Sequence, residues 1–396
     1  MQSTFASGNF FKTVIAAAVF ALLGIAAPSA RAASYTGTVL YPLTLPSGFA
    51  SVTASGNPQT AAAGQVVGYG NDTATGGYDH AVLWSGPAGS AVDLNPAGFT
   101  ASFADGTNGA QQVGWGNGHA LLWAGTAGSA VDLNPTGFME SEAYGTDGTH
   151  QVGYAWGTAT SIQYHALLWT GNAASAVDLN PTGFPDSKAY GTDGTQQVGW
   201  GDDHALLWTG TAASAVDLNP TNLTGTWSSA AYGISGTQQV GYGSGSATGV
   251  NAHALLWSGT PGSAVDLNPT NLTGFTDSEA NGTNGTQQVG YGYGSGTDSN
   301  NHALLWSGTP DSAVDLQLLL PATPGGAWYD SCAYTIDPAG NVYGTADGTF
   351  NDVTGTFAVE WSPVPEPASL GLLGLAGGML LMRRTRQRPS LRFNNL

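Results

Sequence analysis

The sequence has few charged residues and a single cysteine. Charged residues make up 9% of the 396 positions, and Cys332 alone excludes an intrachain disulfide and argues against a thiolate-bound metal cluster. Between residues 33 and 362 the only lysine or arginine is Lys188, while of the 26 acidic residues only Glu366 lies outside that range. Such an acidic body repels phosphate backbones and anionic membrane surfaces, so we expect no nucleic-acid binding.

The remaining basic residues lie near the two ends of the chain. Residues 1–32 contain Lys12, an apolar run over 14–27 and the small-residue ending Ala30-x-Ala32. This combination predicts a secretory signal peptide, with a mature chain that begins at Ala33 and is exported.

The C-terminal segment, residues 363–396, has three parts in order. Pro365, Glu366 and Pro367 come first, an apolar stretch over 368–382 follows, and Arg383 and Arg384 come directly after it. The segment resembles the PEP-CTERM sorting signal of exported Gram-negative proteins. The resemblance implies transient membrane anchoring, processing by an exosortase, and release or attachment at the cell surface, often with exopolysaccharide.

Between the two ends, one short motif occurs six times. Each copy starts with His-Ala and has an aspartate 13 residues after the histidine, although successive copies are 39, 46, 39, 49 and 49 residues apart. Alternation in 204–208 puts His204, Leu206 and Trp208 on one face of a strand, and a glycine turn leads to a second strand in Ala-Val-Asp-Leu-Asn-Pro. The constant interval is therefore the register of a hairpin, in which one added residue would reverse every side chain.

Two further pieces recur between these hairpins. One is Ser-x-Ala-Tyr-Gly-Thr, as at 187–192, and the other is Gln-Gln-Val-Gly-Trp/Tyr-Gly, as at 196–201. Asn-Gly and Asp-Gly pairs such as Asn108-Gly109 separate them and predict type I′ turns. Each unit of about 47 residues then has four strands, which is typical of a β-propeller blade.

The blade count follows from an incomplete last unit. Strands are predicted at 331–336, 341–346 and 357–361, and the fourth is missing there. An unassigned strand at 39–49 resembles the missing piece. We therefore predict an all-β protein with seven four-stranded blades over residues 33–362, closed by the N-terminal strand; open stacking of the repeats is the alternative. We expect the strand that contains Ala-Tyr-Gly-Thr to be the innermost strand of each blade.

The repeat resembles the HAF family of extracellular repeats over nearly all of 49–361. The shared features are His-Ala, Trp, Asp-Leu and Gln-x-Val-Gly, with leucine, once valine, in place of the family's phenylalanine. The resemblance implies a surface-exported protein without an assigned biochemical activity, and it supplies no catalytic residues.

The repeated histidines and aspartates predict structure rather than a metal centre. Ligands of one ion converge to about 2 Å, whereas equivalent residues of successive blades lie around a ring. Within one blade we expect each histidine to bond its aspartate and the tryptophans to be core residues.

Candidate binding residues are expected where the repeats differ. The connection from strand two to strand three grows from two residues at Asn117-Gly118 to nine or so at 71–79, 156–164, 244–252 and 293–301, and these loops share a rim with the links between blades. The ligand-binding residues predicted on that rim are Glu140, Glu142, Trp156, Tyr164, Asp186, Asp277, Glu279 and Tyr293.

Three functions follow from these features. The favoured hypothesis is a non-catalytic propeller of the cell surface or extracellular matrix that binds polysaccharide or another surface protein. The second is a glycan hydrolase or lyase that uses Glu140 or Glu142 with Asp186, since glycosidases need two carboxylates about 5–10 Å apart. The third is a calcium-dependent structural protein, since oxygen ligands are plentiful, although no Asp-x-Asp-x-Asp loop is present. No other cofactor and no catalytic residue is predicted, and enzymatic activity is left open.

Overall fold

The computed structural model describes residues 34–86, 90–322 and 326–364. The predicted signal peptide and the predicted sorting residues Pro365, Glu366, Pro367, Arg383 and Arg384 lie outside the described residues. Within them, no helix has the length and apolar character needed to span a membrane.

Residues Tyr35–Pro363 form one compact unit of seven antiparallel sheets. Each sheet has four strands in meander order, which makes it one propeller blade, and blade 1 carries the extra two-residue strand Ala61–Ala62. The predicted seven-bladed β-propeller is confirmed.

In each blade the four strands follow one another from the propeller axis outward. Blade 1 has Phe49–Ala54, Gln65–Asp72, Tyr78–Ser85 and Ser90–Asp93; blade 2 has Ser102–Thr107, Gln112–Gly116, His119–Trp123 and Val131–Asp132; blade 3 has Glu140–Thr146, Gln151–Trp156, His165–Trp169 and Val177–Asp178; blade 4 has Ser187–Thr192, Gln197–Gly201, His204–Trp208 and Val216–Asp217. Blade 5 has Thr226–Ser235, Gln238–Gly245, Ala252–Trp257 and Val265–Asp266; blade 6 has Asp277–Thr283, Gln288–Tyr293, His302–Trp306 and Val314–Asp315; blade 7 has Trp328–Ile336, Val342–Phe350, Val353–Pro363 and Tyr35–Pro42.

Helical structure is limited to single 3₁₀ turns in the part of the chain that the structure describes. Most of them precede the fourth strand of a blade or lie in the loop between its second and third strands. They span Ala127–Ser129, Thr158–Thr160, Ala173–Ser175, Ala212–Ser214, Ser246–Thr248, Pro261–Ser263, Ser295–Thr297, Pro310–Ser312 and Gln317–Leu319.

The N-terminal strand closes the ring as predicted, but it starts earlier. Tyr35–Pro42 pairs with Val353–Pro363, whereas the sequence suggested residues 39–49. The ladder ends at Pro42, which has no N–H, and the chain then leaves blade 7 through a turn in which the Phe49 N–H donates to the Pro46 carbonyl at 3.2 Å. Since the third strand of blade 7 is longer than its counterparts, it pairs with residues further toward the N-terminus.

The predicted type I′ turns lie at a different connection. At the predicted pairs between the first and second strands only the glycine has a positive φ, as at Gly109 (90°), where the Asn108 side chain accepts the N–H groups of Ala110 and Gln111 in a longer turn. Both central residues have positive φ at Asn117 (47°) and Gly118 (84°), between the second and third strands. The two-residue hairpin is therefore this connection.

The core lies between neighbouring blades. The tryptophan at or near the end of each third strand is fully buried in all seven blades, and it packs with valine, leucine and alanine from the adjacent blade. Serine of the Ser-x-Ala motif adds a polar link: Ser229 of blade 5 accepts the Ala205 N–H of blade 4 at 3.0 Å and donates to Asn219 at 2.9 Å. The recurring tryptophans are core residues, as predicted.

Each histidine of the repeat bonds its aspartate, as expected from the sequence. The distance from Nδ1 to the carboxylate Oδ2 is 3.0 Å in the first pair and 2.7–2.8 Å in the other five. In every blade that has the pair, it joins the third strand to the residue that ends the fourth.

Replacing His204 by alanine should lower stability by about 0.5–1 kcal/mol, because the pair with Asp217 is partly exposed to solvent. The melting temperature should fall by roughly 2 °C, measured by circular dichroism. Ligand binding should not change, since the pair lies at the outer side of blade 4. Unchanged stability with lost binding would contradict this structural role.

Candidate functional site: an axial mouth of tyrosines and carboxylates

The innermost strands meet around the propeller axis. The residue after the motif alanine forms a ring there, and Tyr144, Tyr190 and Tyr232 contact one another with successive ring centroids 5.4 Å apart. The following glycine is required by close packing, because a Cβ at Gly145 would lie 2.5 Å from the Tyr190 carbonyl oxygen of the next blade. In the other blades this position, identified from strand register, holds Ser55, Asp105, Asn281 and Tyr334.

Gln59 crosses the axis beneath this ring. Its side chain starts from blade 1, and its Nε2 donates to the Tyr232 carbonyl of blade 5 at 3.5 Å. Its own carbonyl accepts the Thr107 N–H of blade 2 at 2.9 Å. The side chain thus fills the axis at one level.

Two residues before the ring, a second layer of side chains faces the axis at the end where the long loops lie. In blades 1 to 6 the first-strand residue of this layer is opposite an aromatic residue of the second strand, and we call the layer the axial mouth. Its pairs are Thr53 with Tyr69, Phe103 with Trp115, Glu142 with Tyr154, Lys188 with Trp200, Ala230 with Tyr242 and Glu279 with Tyr291, whereas in blade 7 Cys332 is opposite Thr345.

Lys188 is held inside the mouth by aromatic rings. Its Nζ lies 4.2 Å from the ring centroid of Tyr154 and 4.8 Å from that of Tyr164, which are cation–π distances. Burial lowers the pKa of Lys188, and the nearby carboxylates Glu142 and Asp186 oppose that shift. Blade 3 therefore presents a carboxylate and two rings to an ammonium group of the protein itself.

Glu142 has a second partner, Tyr144, whose hydroxyl donates to Oε2 at 2.8 Å. Burial raises the pKa of Tyr144, and the negative charge of Glu142 raises it further. The phenol consequently stays protonated and acts as a donor.

Asp105 is a buried carboxylate on the ring below the mouth. It is 7% exposed, and its Oδ1 accepts hydrogen bonds from Ser55 Oγ at 3.0 Å and Asn57 Nδ2 at 2.8 Å. Within the described part of the chain its Oδ2 has no hydrogen-bond partner. Burial raises the pKa of Asp105 to about 7, with a smaller contribution from Glu142. The axis thus carries a carboxyl group poised to titrate near neutrality.

The structure places the predicted binding residues on one end of the propeller, as expected. Glu142 and Glu279 lie in the mouth itself. The others lie around it: Glu140 accepts from Trp156 Nε1 at 3.0 Å, Asp186 accepts the Tyr164 N–H at 2.8 Å, and Asp277 pairs across strands with Tyr293 and accepts the Ala252 N–H at 3.2 Å. Their role in ligand binding stays a prediction.

The three carboxylates suggested for glycan hydrolysis have separate partners. Glu140 is bonded to Trp156, Glu142 to Tyr144 and Asp186 to the backbone of Tyr164. In residues 34–86, 90–322 and 326–364, no three His, Cys, Asp or Glu side chains are grouped to hold a metal ion. Calcium binding stays a prediction.

Sequence reasoning missed several residues that determine the charge and the aromatic lining around the axis, chiefly Asp105, Lys188 and the second-strand tyrosines Tyr154 and Tyr291. A usable signal was present, since Asp105 occupies a position that is tyrosine in four other blades. Lys188 is likewise the only cation at its repeat position. Departures from a repeat at a fixed position mark where one blade differs in chemistry from the others.

No family model matches the chain, and no curated protein matches it. Among solved structures, it is similar to the β-propeller domain of the Trilobed protease from Pyrococcus furiosus, at 9% identity and TM-score 0.47, over 75% of this chain and 91% of that one. It is also similar to a puromycin hydrolase S511A mutant complexed with PGG, at 14% identity and TM-score 0.47, over 81% of this chain. A third is a post-proline cleaving enzyme from Rickettsia typhi, at 9% identity and TM-score 0.41, over 77% of this chain. The chain spans 56% and 50% of the lengths of these last two proteins.

This comparison corrects the predicted function. The sequence favoured a non-catalytic surface protein that binds polysaccharide or another surface protein, with a glycan-cleaving enzyme or a calcium-dependent structural protein as alternatives. The solved structures with a similar propeller are instead the β-propeller domain of a protease, a puromycin hydrolase, a puromycin-hydrolyzing peptidase and a post-proline cleaving enzyme. The repeat pattern supported the architecture, and it contained no information on the ligand class.

Proposed function

We propose that the protein is a peptidase-type propeller, a domain that admits peptides at the axial mouth and holds them by their cationic groups. The observation that carries the proposal is the combination of half-buried carboxylates and tyrosine rings around the axis, with one protein ammonium already bound in that manner at Lys188. Lysine side chains and the peptide N-terminus are the ammonium groups that a peptide supplies.

The charge of the mouth favours a cationic ligand over a neutral or anionic one. Burial raises the pKa of both Asp105 and Glu279, which means that their ionised forms are poorly solvated. A cation entering the mouth would stabilise the ionised carboxylates, whereas an acidic polysaccharide would be repelled. A neutral glycan would leave the carboxylates unpaired.

Export and surface sorting stay proposals that rest on the two ends of the sequence. The signal-like residues 1–32, the Pro-Glu-Pro segment and the HAF-like repeat support them. An exported peptide-binding propeller in a Gram-negative bacterium would meet peptides outside the cytoplasm.

The proposal predicts that the full chain binds a lysine-rich peptide at least tenfold more tightly than the same peptide with acetylated lysines and N-terminus. Acetylation removes the charge while it keeps the length and most of the apolar surface. Affinities would be measured by isothermal titration calorimetry at low salt and again at about 0.5 M salt, where screening should weaken the binding.

A matched control variant removes a carboxylate elsewhere. Asp311→Asn changes an exposed residue of a 3₁₀ turn on the outer side of blade 6 and should leave the affinity unchanged. Equal binding of the charged and the acetylated peptide would contradict the proposal.

A further inference from the structure

The axial mouth contains the same glutamate–tyrosine pair twice. Glu142 lies opposite Tyr154 in blade 3, and Glu279 lies opposite Tyr291 in blade 6, in the same strand register. All four belong to equivalent positions of the repeat. The two pairs should therefore present the same chemistry to the axis.

The pairs differ in the ring residue of their own blade, Tyr144 in blade 3 and Asn281 in blade 6, and in the residue that the next blade contributes. Beside the blade 3 pair, the equivalent first-strand position of blade 4 is Lys188, whose ammonium lies over the Tyr154 ring. Beside the blade 6 pair, the corresponding position of blade 7 is Cys332. From 189 to 362 the sequence has no lysine or arginine at all. Among the described residues, the blade 6 pair thus has the carboxylate and the ring of an ammonium site, and no lysine or arginine lies beside it.

Glu279 is a half-buried carboxylate that has no positively charged side chain beside it among the described residues. Its side chain is half-buried, burial raises its pKa, the Tyr291 hydroxyl opposes that shift, and the nearby Asp277 adds to it. The negative charge of Glu279 also raises the pKa of Tyr232 and of Tyr293. Cys332 does not neutralise it, because burial raises the pKa of the thiol and keeps it uncharged, and Asn281 donates to its sulfur at 3.4 Å.

We infer that Glu279 and Tyr291 form a second ammonium site, which takes a primary ammonium group from an external ligand in the way that Glu142 and Tyr154 take Lys188. The ammonium would lie over the Tyr291 ring and beside the Glu279 carboxylate. This deepens the proposed function, because it names the group of the peptide that is bound and the blade that binds it.

The test uses n-butylammonium, which has the length and charge of a lysine side chain, added to the full chain at pH 7 and followed by ligand-observed NMR. Glu279→Gln should weaken binding at least tenfold, since it removes the charge and retains the shape. Cys332→Lys should abolish binding, because the new side chain would place its own ammonium over Tyr291. Cys332→Met, which has similar length and no charge, fills the same space and should weaken binding less than Cys332→Lys does, so the difference between the two variants reports the charge.

A reciprocal variant checks the equivalence of the two pairs. Lys188→Met empties the blade 3 site and should raise the number of bound n-butylammonium molecules from one to two. Melting curves identify variants that fail to fold; if Cys332→Lys is one of them, Glu279→Gln and Lys188→Met decide the question.

The outcomes separate this inference from the proposed function. Equal binding by Cys332→Lys and Cys332→Met, or no loss with Glu279→Gln, would overturn the ammonium site even if lysine-rich peptides bind. Binding of n-butylammonium that depends on Glu279, without any binding of lysine-rich peptides, would support the site and contradict the peptide function.

Discussion

Replacing Asp105 by asparagine is expected to make the protein more stable at pH 8, by about 4 kcal/mol. Burial raises the pKa of this carboxyl from 3.8 to about 7, a difference of roughly three units at about 1.4 kcal/mol each. Asparagine keeps the acceptor for Ser55 and Asn57 and introduces no charge.

The raised pKa of Asp105 makes the native protein less stable as the pH rises. Because the pKa of Asp105 is higher in the folded than in the unfolded chain, its protonated form is the one compatible with the fold. Its contribution to stability is complete below about pH 4, declines as the pH rises to about 7, and is constant above that. The variant and the native protein should accordingly be equally stable near pH 4 and diverge toward pH 7.

Urea unfolding at intervals between pH 4 and pH 8 measures this difference. The Asp311→Asn variant is the control, because that carboxylate is exposed, and its stability should follow the native profile. A constant offset between Asp105→Asn and the native protein at every pH would show that Asp105 titrates normally.

Removal of residues 1–42 should lower the free energy of unfolding by at least about 5 kcal/mol. The deletion takes away the fourth strand of blade 7, which pairs with Val353–Pro363 from Tyr35 to Pro42. It also removes Tyr35 and Tyr41, which are 7% and 3% exposed, and each such side chain contributes about 2 kcal/mol by burial alone. The deletion also breaks the backbone hydrogen bonds to this strand and leaves a sheet edge exposed, and both effects lower the free energy of unfolding further.

Removal of residues 1–33 is the matched control, and it should leave the urea midpoint unchanged because every strand of the described residues is retained. Tyr41→Phe provides a graded test, since it removes only the hydroxyl that donates to the carbonyls of Gly64 at 2.6 Å and Trp84 at 3.1 Å. This hydroxyl joins blade 7 to blade 1, and its loss should cost about 1–2 kcal/mol. A truncated protein with the native unfolding curve would contradict closure by this strand.

Much of the architecture could be predicted because the same strand pattern recurs in successive repeats. The constant 13 residues between His204 and Asp217, as in the other copies, specify a hairpin register, and the incomplete last unit predicts closure by the N-terminal strand. Errors occurred where local preference competes with packing: the closing strand lies at Tyr35–Pro42, and Asn108-Gly109 forms a longer turn in which only the glycine has positive φ. The first depends on the length of the neighbouring strand Val353–Pro363, and the second on the N–H groups that the Asn108 side chain accepts within the turn.

The site was only partly predictable. Glu142 and Glu279 were identified from the rim they share, yet a rim is a set of loops and links, and it does not show which side chains converge. Lys188 lies over Tyr154 because blades 3 and 4 are adjacent in the ring, and Gln59 reaches Tyr232 because the axis brings blades 1 and 5 together. Neither contact has a signal in local sequence.

By itself, the sequence determined the repeating blade, its strand order, its buried tryptophans and the number of blades, since these depend on periodic patterns and on pairing between neighbouring segments. Only the tertiary structure decided that Asp105 is buried with one oxygen unpaired among the described residues, and that one glutamate–tyrosine pair of the mouth holds a lysine while its equivalent faces a cysteine. Those features arise when seven similar blades close around one axis. Residues far apart in the chain then lie close together in a partly buried space, where the low dielectric constant strengthens the electrostatic interaction between one charged side chain and its neighbours.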